Sequence, residues 1–260
     1  MPNPKITIIT ICFNSEAHIE ETILSVVSQS YLNKEYVIID GGSTDGTLDI
    51  IARYKDRIDY FVSEPDRGIS DAFNKGIKAA TGDLIGIINS DDLLEVGALE
   101  ILASHYQEDI DVYRGLCGMF NDKTHHVFYD KPTMNWPALP LEMHVAHPST
   151  FISSKAYKKY GQYDISLKYA MDFDILRRFE ILHAKKLFID KPLTQFRLGG
   201  ASQSSDKKRL QELLQILKKN GSNWWQLLIF NVYYRIRLMV KYCVETLFST
   251  NYRIKLANKI

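Results

Sequence analysis

The first hundred residues alternate short runs of β-branched residues with stretches in which apolar residues recur at helical spacing. This alternation constrains the fold more than any other feature, because it is typical of β-α-β units that share one sheet. It predicts strands at about 6–12, 35–39, 58–62 and 84–88, and helices at about 17–29, 46–55, 70–80 and 96–106. We therefore expect an α/β fold in which helices flank a mostly parallel central sheet.

The rest of the chain is less regular. Residues 111–153 are rich in turn residues, which favours long loops that carry specificity. A helix is predicted at about 171–183, followed by the short strand KLFID and a glycine-containing loop over 197–204. Helical spacing returns from residue 206 onward, so we expect a body, residues 1–204, and a helical tail, residues 205–260.

The tail is basic although the chain as a whole carries a formal net charge of only +1. Residues 205–260 contain 11 Lys and Arg but 3 Asp and Glu, which leaves the body net acidic. A basic tail predicts an anionic partner, either a membrane surface or nucleic acid, and no nucleic-acid-binding motif accompanies the charge. Its Trp and Tyr residues suit a lipid headgroup interface, whereas packing of the tail on the body is the alternative.

Other features bear on the compartment. No segment has the roughly 18 to 20 uninterrupted apolar residues of a membrane-spanning helix. The apolar run at residues 6–13 is too short for a signal peptide and lacks a basic flank. The three cysteines are widely spaced and form no CxxC motif. This favours a reducing compartment and argues against a zinc knuckle. These features predict a cytoplasmic protein.

Two enzyme classes are excluded by their missing glycine motifs. The residues after the first predicted strand, CFNSEAH, lack the GxGxxG that a nicotinamide-dependent dehydrogenase needs there. The glycine-containing turn at 40–47 follows the second strand and lacks the GK[ST] of an ATPase or GTPase.

Acidic residues follow three consecutive predicted strands: Asp40, Asp66, and the pair Asp91 and Asp92. Ligands of open α/β sheets bind beyond the carboxyl ends of the strands. A carboxylate there can accept a hydrogen bond from a nucleobase or a ribose hydroxyl, or bind a hard divalent cation. Helix capping explains any one of them equally well, but three in succession favour a site.

Three segments carry a family resemblance: ITIITICFNSEAHIEETILSVVSQSY, VIIDGGSTDGT and SEPDRGISDAFNKGIKAATGDLIGIINSDD. They resemble the nucleotide-sugar-binding half of family 2 glycosyltransferases of the GT-A fold, most of all the bacterial branch that builds O-antigen and other surface polysaccharides. The resemblance is nearly continuous over residues 5–100 and weaker to about 202. It implies a nucleotide-sugar-binding half, residues 1–100, and an acceptor-binding half, residues 101–204, and it does not cover the tail.

On the donor side, the resemblance implies that Thr10, Phe13 and Asn14 line the base pocket and that Asp40 holds the uracil or ribose. Arg67 would lie near the nucleotide or its phosphates. The family's DxD signature falls on Asn89-Ser90-Asp91, so that Asp91 would bind the Mg²⁺ or Mn²⁺ that bridges the diphosphate. Because Asn89 replaces the first acidic residue, Asp92 is a second candidate metal ligand.

On the acceptor side, the resemblance implies a general base at Asp172, in the run Ala170-Met171-Asp172-Phe173-Asp174. Asp174 is about 200° further around a helix and is predicted to be structural. One displacement with one base predicts inversion at the anomeric carbon. His147 and the loop containing Gly199 and Gly200 occupy the family's acceptor and lid positions, although a merely structural role is favoured for His147.

These features predict an inverting, metal-dependent transferase that uses a nucleotide sugar, with UDP favoured by the resemblance. The predicted acceptor is a saccharide on a polyprenyl diphosphate carrier, reached from the inner face of the cytoplasmic membrane through the basic tail. A sugar nucleotidyltransferase is a rival, but CFNSEAH lacks its glycine-rich loop. A nucleotide-sugar-binding scaffold is the non-enzymatic rival, for which Asn89 and Met171 are the hints.

Overall fold

The computed structural model describes residues 3–122, 127–135, 137, 139–141, 145–198 and 206–257, without the side chains of residues 241 and 244–257. Its strands are β1 (Ile6–Cys12), β2 (Lys34–Asp40), β3 (Tyr60–Ser63), β4 (Leu84–Asn89), β5 (Leu93–Leu94), β6 (Val112–Phe120), β7 (Phe128–Asp130), β8 (Thr150–Ser153) and β9 (Lys186–Arg197). Its helices are α1 (Ile19–Val27), α2 (Thr47–Ala52), α3 (Ile69–Ala79), α4 (Ala98–Ser104), α5 (Ser154–Tyr160), α6 (Met171–Ile181), α7 (Asp206–Lys219) and α8 (Trp224–Ala257).

The strands of the described residues form one sheet in the order β3-β2-β1-β4-β8-β6-β9-β5, with β7 paired to β6. The first four strands in this order are parallel, and pairing is mixed beyond β4. The chain moves outward from β1 to β3 and then returns to place β4 on the other side of β1. A ligand crevice is therefore expected beyond the carboxyl ends of β1 and β4, where the strand order reverses.

Close packing of α3 on the sheet positions the loop that precedes this helix. A Cβ atom at Gly76 would lie 2.4 Å from Cγ2 of Ile9, so only glycine lets α3 approach β1 this closely. At the start of the helix, Gly68 has φ of +114°, which lets the chain turn sharply from the EPDRG loop into α3. The loop thus lies beside the carboxyl ends of β1 and β2.

The elements predicted in the first hundred residues are confirmed, with shifts of a few residues at their ends. The short strand predicted at KLFID is wrong in length, because β9 continues to Arg197. Proline normally interrupts a strand, but Pro192 lies at an irregularity where the pairing with β6 shifts register. The region 111–153 likewise contains the buried strands β6 and β8.

The chain separates into two compact units, residues 1–136 with 143–203, and residues 137–142 with 204–260. The predicted boundary after residue 204 lies one residue beyond the end of the first unit. No pattern in the sequence predicts that residues 137–142 group with the tail. In the second unit, α7 and α8 pack against each other. Among the described residues, no helix combines the length and apolar content that a bilayer-crossing segment needs.

Candidate active site

Asp40 organises the turn that follows β2. It is fully buried, and Oδ2 accepts hydrogen bonds from the backbone N–H of Gly42 (3.0 Å) and Ser43 (2.9 Å) and from Oγ of Ser63 (2.6 Å). Ser43 Oγ donates to the other oxygen, Oδ1, at 2.5 Å. Burial raises the pKa of Asp40, but these hydrogen bonds outweigh it and lower the pKa below its usual value. Asp40 therefore stays ionised, and its contact with a nucleotide remains a prediction.

Beside this turn, one surface combines an aromatic ring, bare backbone and a carboxylate. Phe13 is 60% exposed. A Cβ atom at Gly41 would lie 3.5 Å from the Phe13 ring and 2.6 Å from Oδ2 of Asp66. An exposed ring can stack on a nucleobase, and a neighbouring carboxylate can accept a base N–H. Only glycine at position 41 lets the Asp66 carboxylate approach the backbone this closely, beside the Phe13 ring.

Asn14 supports the same surface. Its φ of +48° turns the chain out of β1, Oδ1 accepts from Thr44 N–H (2.9 Å), and its own N–H donates to Ser43 Oγ (2.8 Å). Thr10, by contrast, is fully buried, and its hydroxyl accepts from the Tyr36 hydroxyl at 3.1 Å. This burial corrects the expectation that the Thr10 side chain lines the base pocket.

Arg67 extends from the EPDRG loop. It forms an ion pair with Asp71 of α3 at 3.0 Å, and its side chain is largely exposed. Hydrogen bonding with Asp71 raises the pKa of the guanidinium, so Arg67 is a permanent cation at this edge of the sheet. An exposed cation here suits the phosphates of a nucleotide.

The loop after β4 meets the loop after β1, since the hydroxyls of Ser90 and Ser15 lie 2.7 Å apart. Within it, Asp92 is fully buried. Its Oδ1 accepts from the N–H of Arg197 (3.1 Å), and its Oδ2 accepts from Nδ2 of Asn89 (3.0 Å). Burial raises the pKa of Asp92 well above its usual value, and the charge of Asp91 adds to the effect. The burial and these two bonds disfavour the metal role expected for Asp92.

Asp91 has a different environment. Among the described residues, the Asp91 carboxylate accepts a hydrogen bond only from its own backbone. Burial raises the pKa of this carboxyl, and the nearby charges of His18 and Arg197 oppose the shift. Oδ1 of Asn89 is also buried without a hydrogen-bond partner among the described residues. One carboxylate and one amide oxygen are thus left available at the carboxyl end of β4.

These two oxygens fit a hard divalent cation. Mg²⁺ is usually held by one or two carboxylates together with water and substrate phosphates, so a full cage of protein ligands is not required. The part of the chain that the structure describes contains no cluster of three or more His, Cys, Asp or Glu side chains able to hold a metal. Asp91 and Asn89 would hold Mg²⁺ or Mn²⁺ jointly with a diphosphate.

Arg197, at the end of β9, links these loops and was missed by the sequence analysis. Nε donates to the Asp91 carbonyl at 3.0 Å, and the guanidinium pairs with Glu21 of α1 and with Asp122. The guanidinium also lies 4.6 Å from the centroid of the Phe120 ring. No spacing pattern marks this arginine; its partners lie far away in sequence and become visible only once β9 is known to reach residue 197.

The acceptor-side candidate Asp172 lies in the first turn of α6. The loop before this helix is bonded to α3: Ser70 Oγ donates to the Leu167 carbonyl (2.7 Å), and the Asn74 side chain exchanges two bonds with the Tyr163 backbone. These bonds tie the loop that precedes Asp172 to α3, which begins directly after the EPDRG loop.

His147 packs within this acceptor-side cluster. Its Nε2 lies 2.7 Å from the Tyr163 hydroxyl, and its ring stacks on Phe73 with centroids 5.2 Å apart. Burial lowers the pKa of His147, and the negative charge of Asp172 opposes the shift, so the carboxylate is within electrostatic range. These contacts favour a structural role for His147.

Two further expectations have different outcomes. Asp174 is buried and pairs with Arg178 at 3.3 Å, which agrees with the structural role predicted for it. The lid candidates Gly199 and Gly200 lie outside the described residues.

A family model supplies the identification. Residues 7–182 match the model of Glycosyl transferase family 2, which covers more than half of the chain. The chain belongs to glycosyl transferase family 2. This membership confirms the resemblance seen in the sequence.

Solved structures confirm the GT-A fold. Staphylococcus aureus TarS 1–349 in complex with UDP-GlcNAc has a TM-score of 0.63 and 20% identity, over 82% of this chain and 65% of TarS. The mannosyltransferase PcManGT from Pyrobaculum calidifontis, in complex with GDP-Man and Mn²⁺, has a TM-score of 0.62 and 16% identity, over 90% of this chain and 70% of the other.

Two relatives differ in how much of their length this chain matches. An uncharacterized glycosyltransferase of Rickettsia typhi is 31% identical over 72% of this chain, and the chain spans about three fifths (62%) of that relative's length. The Escherichia coli UDP-Glc:α-D-GlcNAc-diphosphoundecaprenol β-1,3-glucosyltransferase WfaP is 28% identical over 92% of this chain and 95% of its own length.

Proposed function

We propose that this family 2 protein is an inverting, metal-dependent glycosyltransferase in bacterial surface polysaccharide biosynthesis. It takes a sugar from a nucleotide-sugar donor, with UDP-sugars favoured, and transfers it to a saccharide acceptor. UDP is favoured because WfaP is named for a UDP-sugar and TarS was crystallised with one.

One observation carries the proposal: among the described residues, the Asp91 carboxylate accepts a hydrogen bond only from its own backbone and Oδ1 of Asn89 has no partner, at the strand ends where the order of the sheet reverses. A buried polar atom without a partner, such as Oδ1 of Asn89, calls for an explanation, and a bound ion is one. The exposed Phe13 ring and Asp66 stand at the neighbouring strand ends, at a place suited to a base.

In the proposed mechanism, Phe13 stacks on the base, Asp66 accepts a hydrogen bond from it, and Arg67 adds positive charge near the phosphates. Asp40 acts through the turn that it holds beside them. Departure of the nucleoside diphosphate leaves negative charge on its phosphate, which a bound divalent cation stabilises as a Lewis acid.

Asp172 accepts the proton of the acceptor hydroxyl as the oxygen attacks the anomeric carbon. Its location in the first turn of α6, and the bond from Ser70 of α3 to Leu167 in the loop before that helix, support this role. A single displacement inverts the configuration, so an α-linked donor yields a β-linked product.

The proposed acceptor is a saccharide on a polyprenyl diphosphate, and the proposed place of action is the inner face of the cytoplasmic membrane. WfaP, which matches nearly the whole chain, is named for an acceptor on diphosphoundecaprenol. The basic charge of residues 205–260 supports work at an anionic surface.

The first test is titration calorimetry of the full chain with UDP, GDP and dTDP, each with and without Mn²⁺. We expect one nucleotide to bind at least tenfold more tightly with Mn²⁺, and Asp91→Asn to abolish this enhancement. Asp109→Asn, which removes the same charge from an exposed pair with Lys185, is the matched control and should behave like the wild type. Absence of binding for every nucleotide would favour the scaffold alternative.

A further inference from the structure

Helix α8 carries a continuous apolar stripe on its exposed side. The stripe consists of Trp225, Leu228, Ile229, Val232, Ile236, Met239, Val240 and Cys243. Each of these is exposed, and the exposed fraction of the first seven ranges from 46% to 61%. At 100° per residue they fall within an arc of about 120°, and no charged residue interrupts it.

The stripe is not the face on which α8 packs within its own unit. That face contains Phe230, which is 2% exposed, and Tyr234, whose pKa is raised by burial. Helix α7 contributes its own buried row, formed by Leu210, Leu213, Ile216 and Leu217. The α7–α8 pair thus has an internal apolar contact, and the stripe is a second apolar face on the outside.

Cations lie on both sides of the stripe. Arg235 and Arg237 are exposed and fall beyond its two edges on the helix circumference. At the start of the helix, Trp224 and Trp225 stack with ring centroids 3.7 Å apart, and both are exposed. An apolar face with basic flanks and tryptophan at its end is the pattern of a helix that lies in the headgroup region of a bilayer.

We propose that the α8 stripe docks on the surface of an anionic lipid bilayer, with the helix lying in the plane of the membrane. From residue 225 to 243 the helix is about 27 Å long. The docking itself is inferred from the stripe. Its purpose, to bring the active site to a lipid-linked acceptor, rests on the proposed function.

Charge favours a lipid surface over a second copy of this chain. Two copies that met stripe to stripe would bring the flanking arginines of both helices together, in a segment that carries 11 basic and 3 acidic residues. Like charges at such an interface repel, whereas anionic headgroups neutralise them and release counterions.

The test is sedimentation of the full chain with vesicles of phosphatidylglycerol and phosphatidylethanolamine at 0.15 M salt. The stripe variant is Ile229→Glu with Ile236→Glu. The matched control is Gln211→Glu with Gln215→Glu, which adds the same charge at two exposed positions of α7. We expect the stripe variant to lose at least tenfold in vesicle affinity and the control to lose less than threefold.

Equal losses in both variants would mean that charge alone holds the protein, and would overturn the proposal. It would equally be overturned if the wild type did not sediment with vesicles, or if it formed a dimer in light scattering that the stripe variant dissociates. Calorimetry with UDP and Mn²⁺ on the same preparations separates the two claims, because nucleotide binding tests the proposed function and vesicle binding tests the stripe.

Discussion

Glu35 provides a test of how the sheet is held together at the end opposite to the candidate site. Its side chain, at the start of β2, is 10% exposed. It accepts hydrogen bonds from Lys5 Nζ (2.8 Å), Thr7 Oγ1 (2.6 Å), Thr81 N–H (2.8 Å) and Thr81 Oγ1 (2.5 Å). These bonds join the beginnings of β1 and β2 to the turn before β4. We predict that Glu35→Gln destabilises the protein in a pH-dependent way.

The magnitude follows from the pKa. Burial raises the pKa of Glu35, but the bonds from Lys5, Thr7 and Thr81 outweigh it and lower the pKa from its ordinary 4.5 to about 2. A difference of this size between the folded and unfolded chains corresponds to about 3 kcal/mol. Because the folded-state pKa is depressed, this stabilisation is complete above pH 4.5 and is lost as the pH falls toward 2. Gln retains the shape but not the charge, so we expect a loss of about 2 to 3 kcal/mol at pH 7.

The assay is urea unfolding followed by circular dichroism at several pH values between 7 and 3. The difference between wild type and Glu35→Gln should be largest at pH 7 and should narrow steadily below pH 4.5. Glu64→Gln is the control, since Glu64 pairs with Lys75 at 2.8 Å but is 53% exposed, and surface pairs contribute about 0 to 1 kcal/mol. A difference that stays constant from pH 7 to 3, or one no larger than that of the control, would refute the reasoning.

Three further predictions concern the site. Asp172→Asn should lower the transfer rate by about 10²- to 10⁴-fold while leaving UDP affinity within twofold, as measured by turnover and calorimetry. Asn89→Asp should lower the free energy of unfolding by about 3 kcal/mol, because it replaces the donor to buried Asp92 with a like charge, and a urea titration would detect this. Arg197→Met removes the guanidinium that pairs with Glu21 and Asp122, whereas the backbone N–H that donates to Asp92 stays. It should lower the free energy of unfolding by about 2 kcal/mol and weaken Mn²⁺-dependent UDP binding in calorimetry.

The parallel half of the sheet was predictable from sequence because its signals are local. Buried parallel strands read as short β-branched runs, and the helices between them repeat at 3.6 residues. Strand β9 was not predictable beyond its first residues, because Pro192 and polar neighbours resemble a loop. Its extension depends on pairing with β6, some 75 residues earlier, and on a shift of register that no local pattern reveals.

The candidate site was predictable in location but not in its division of roles. Strand ends identified the acidic positions, since the carboxyl ends of parallel strands share one edge. The position of a strand end does not tell which of two nearby residues is exposed to a ligand. Thr10 and Phe13 are three residues apart, yet Thr10 is fully buried and Phe13 is mostly exposed. The same limit applies to Asp91 and Asp92, whose environments differ through Arg197, more than 100 residues away.

Asn89 stands where the family's DxD signature has its first acidic residue, and the structure offers a reason for this difference. A buried carboxylate at Asp92 needs donors, and Nδ2 of Asn89 supplies one that an aspartate could not supply when ionised. The same amide leaves Oδ1 unpartnered beside Asp91, where an oxygen ligand is useful. One side chain can thus stabilise the buried end of the loop and contribute a neutral ligand at its open end. We therefore expect Asn89→Asp to lower the free energy of unfolding without raising the affinity for Mn²⁺. In a decayed site, the substitution would change neither quantity.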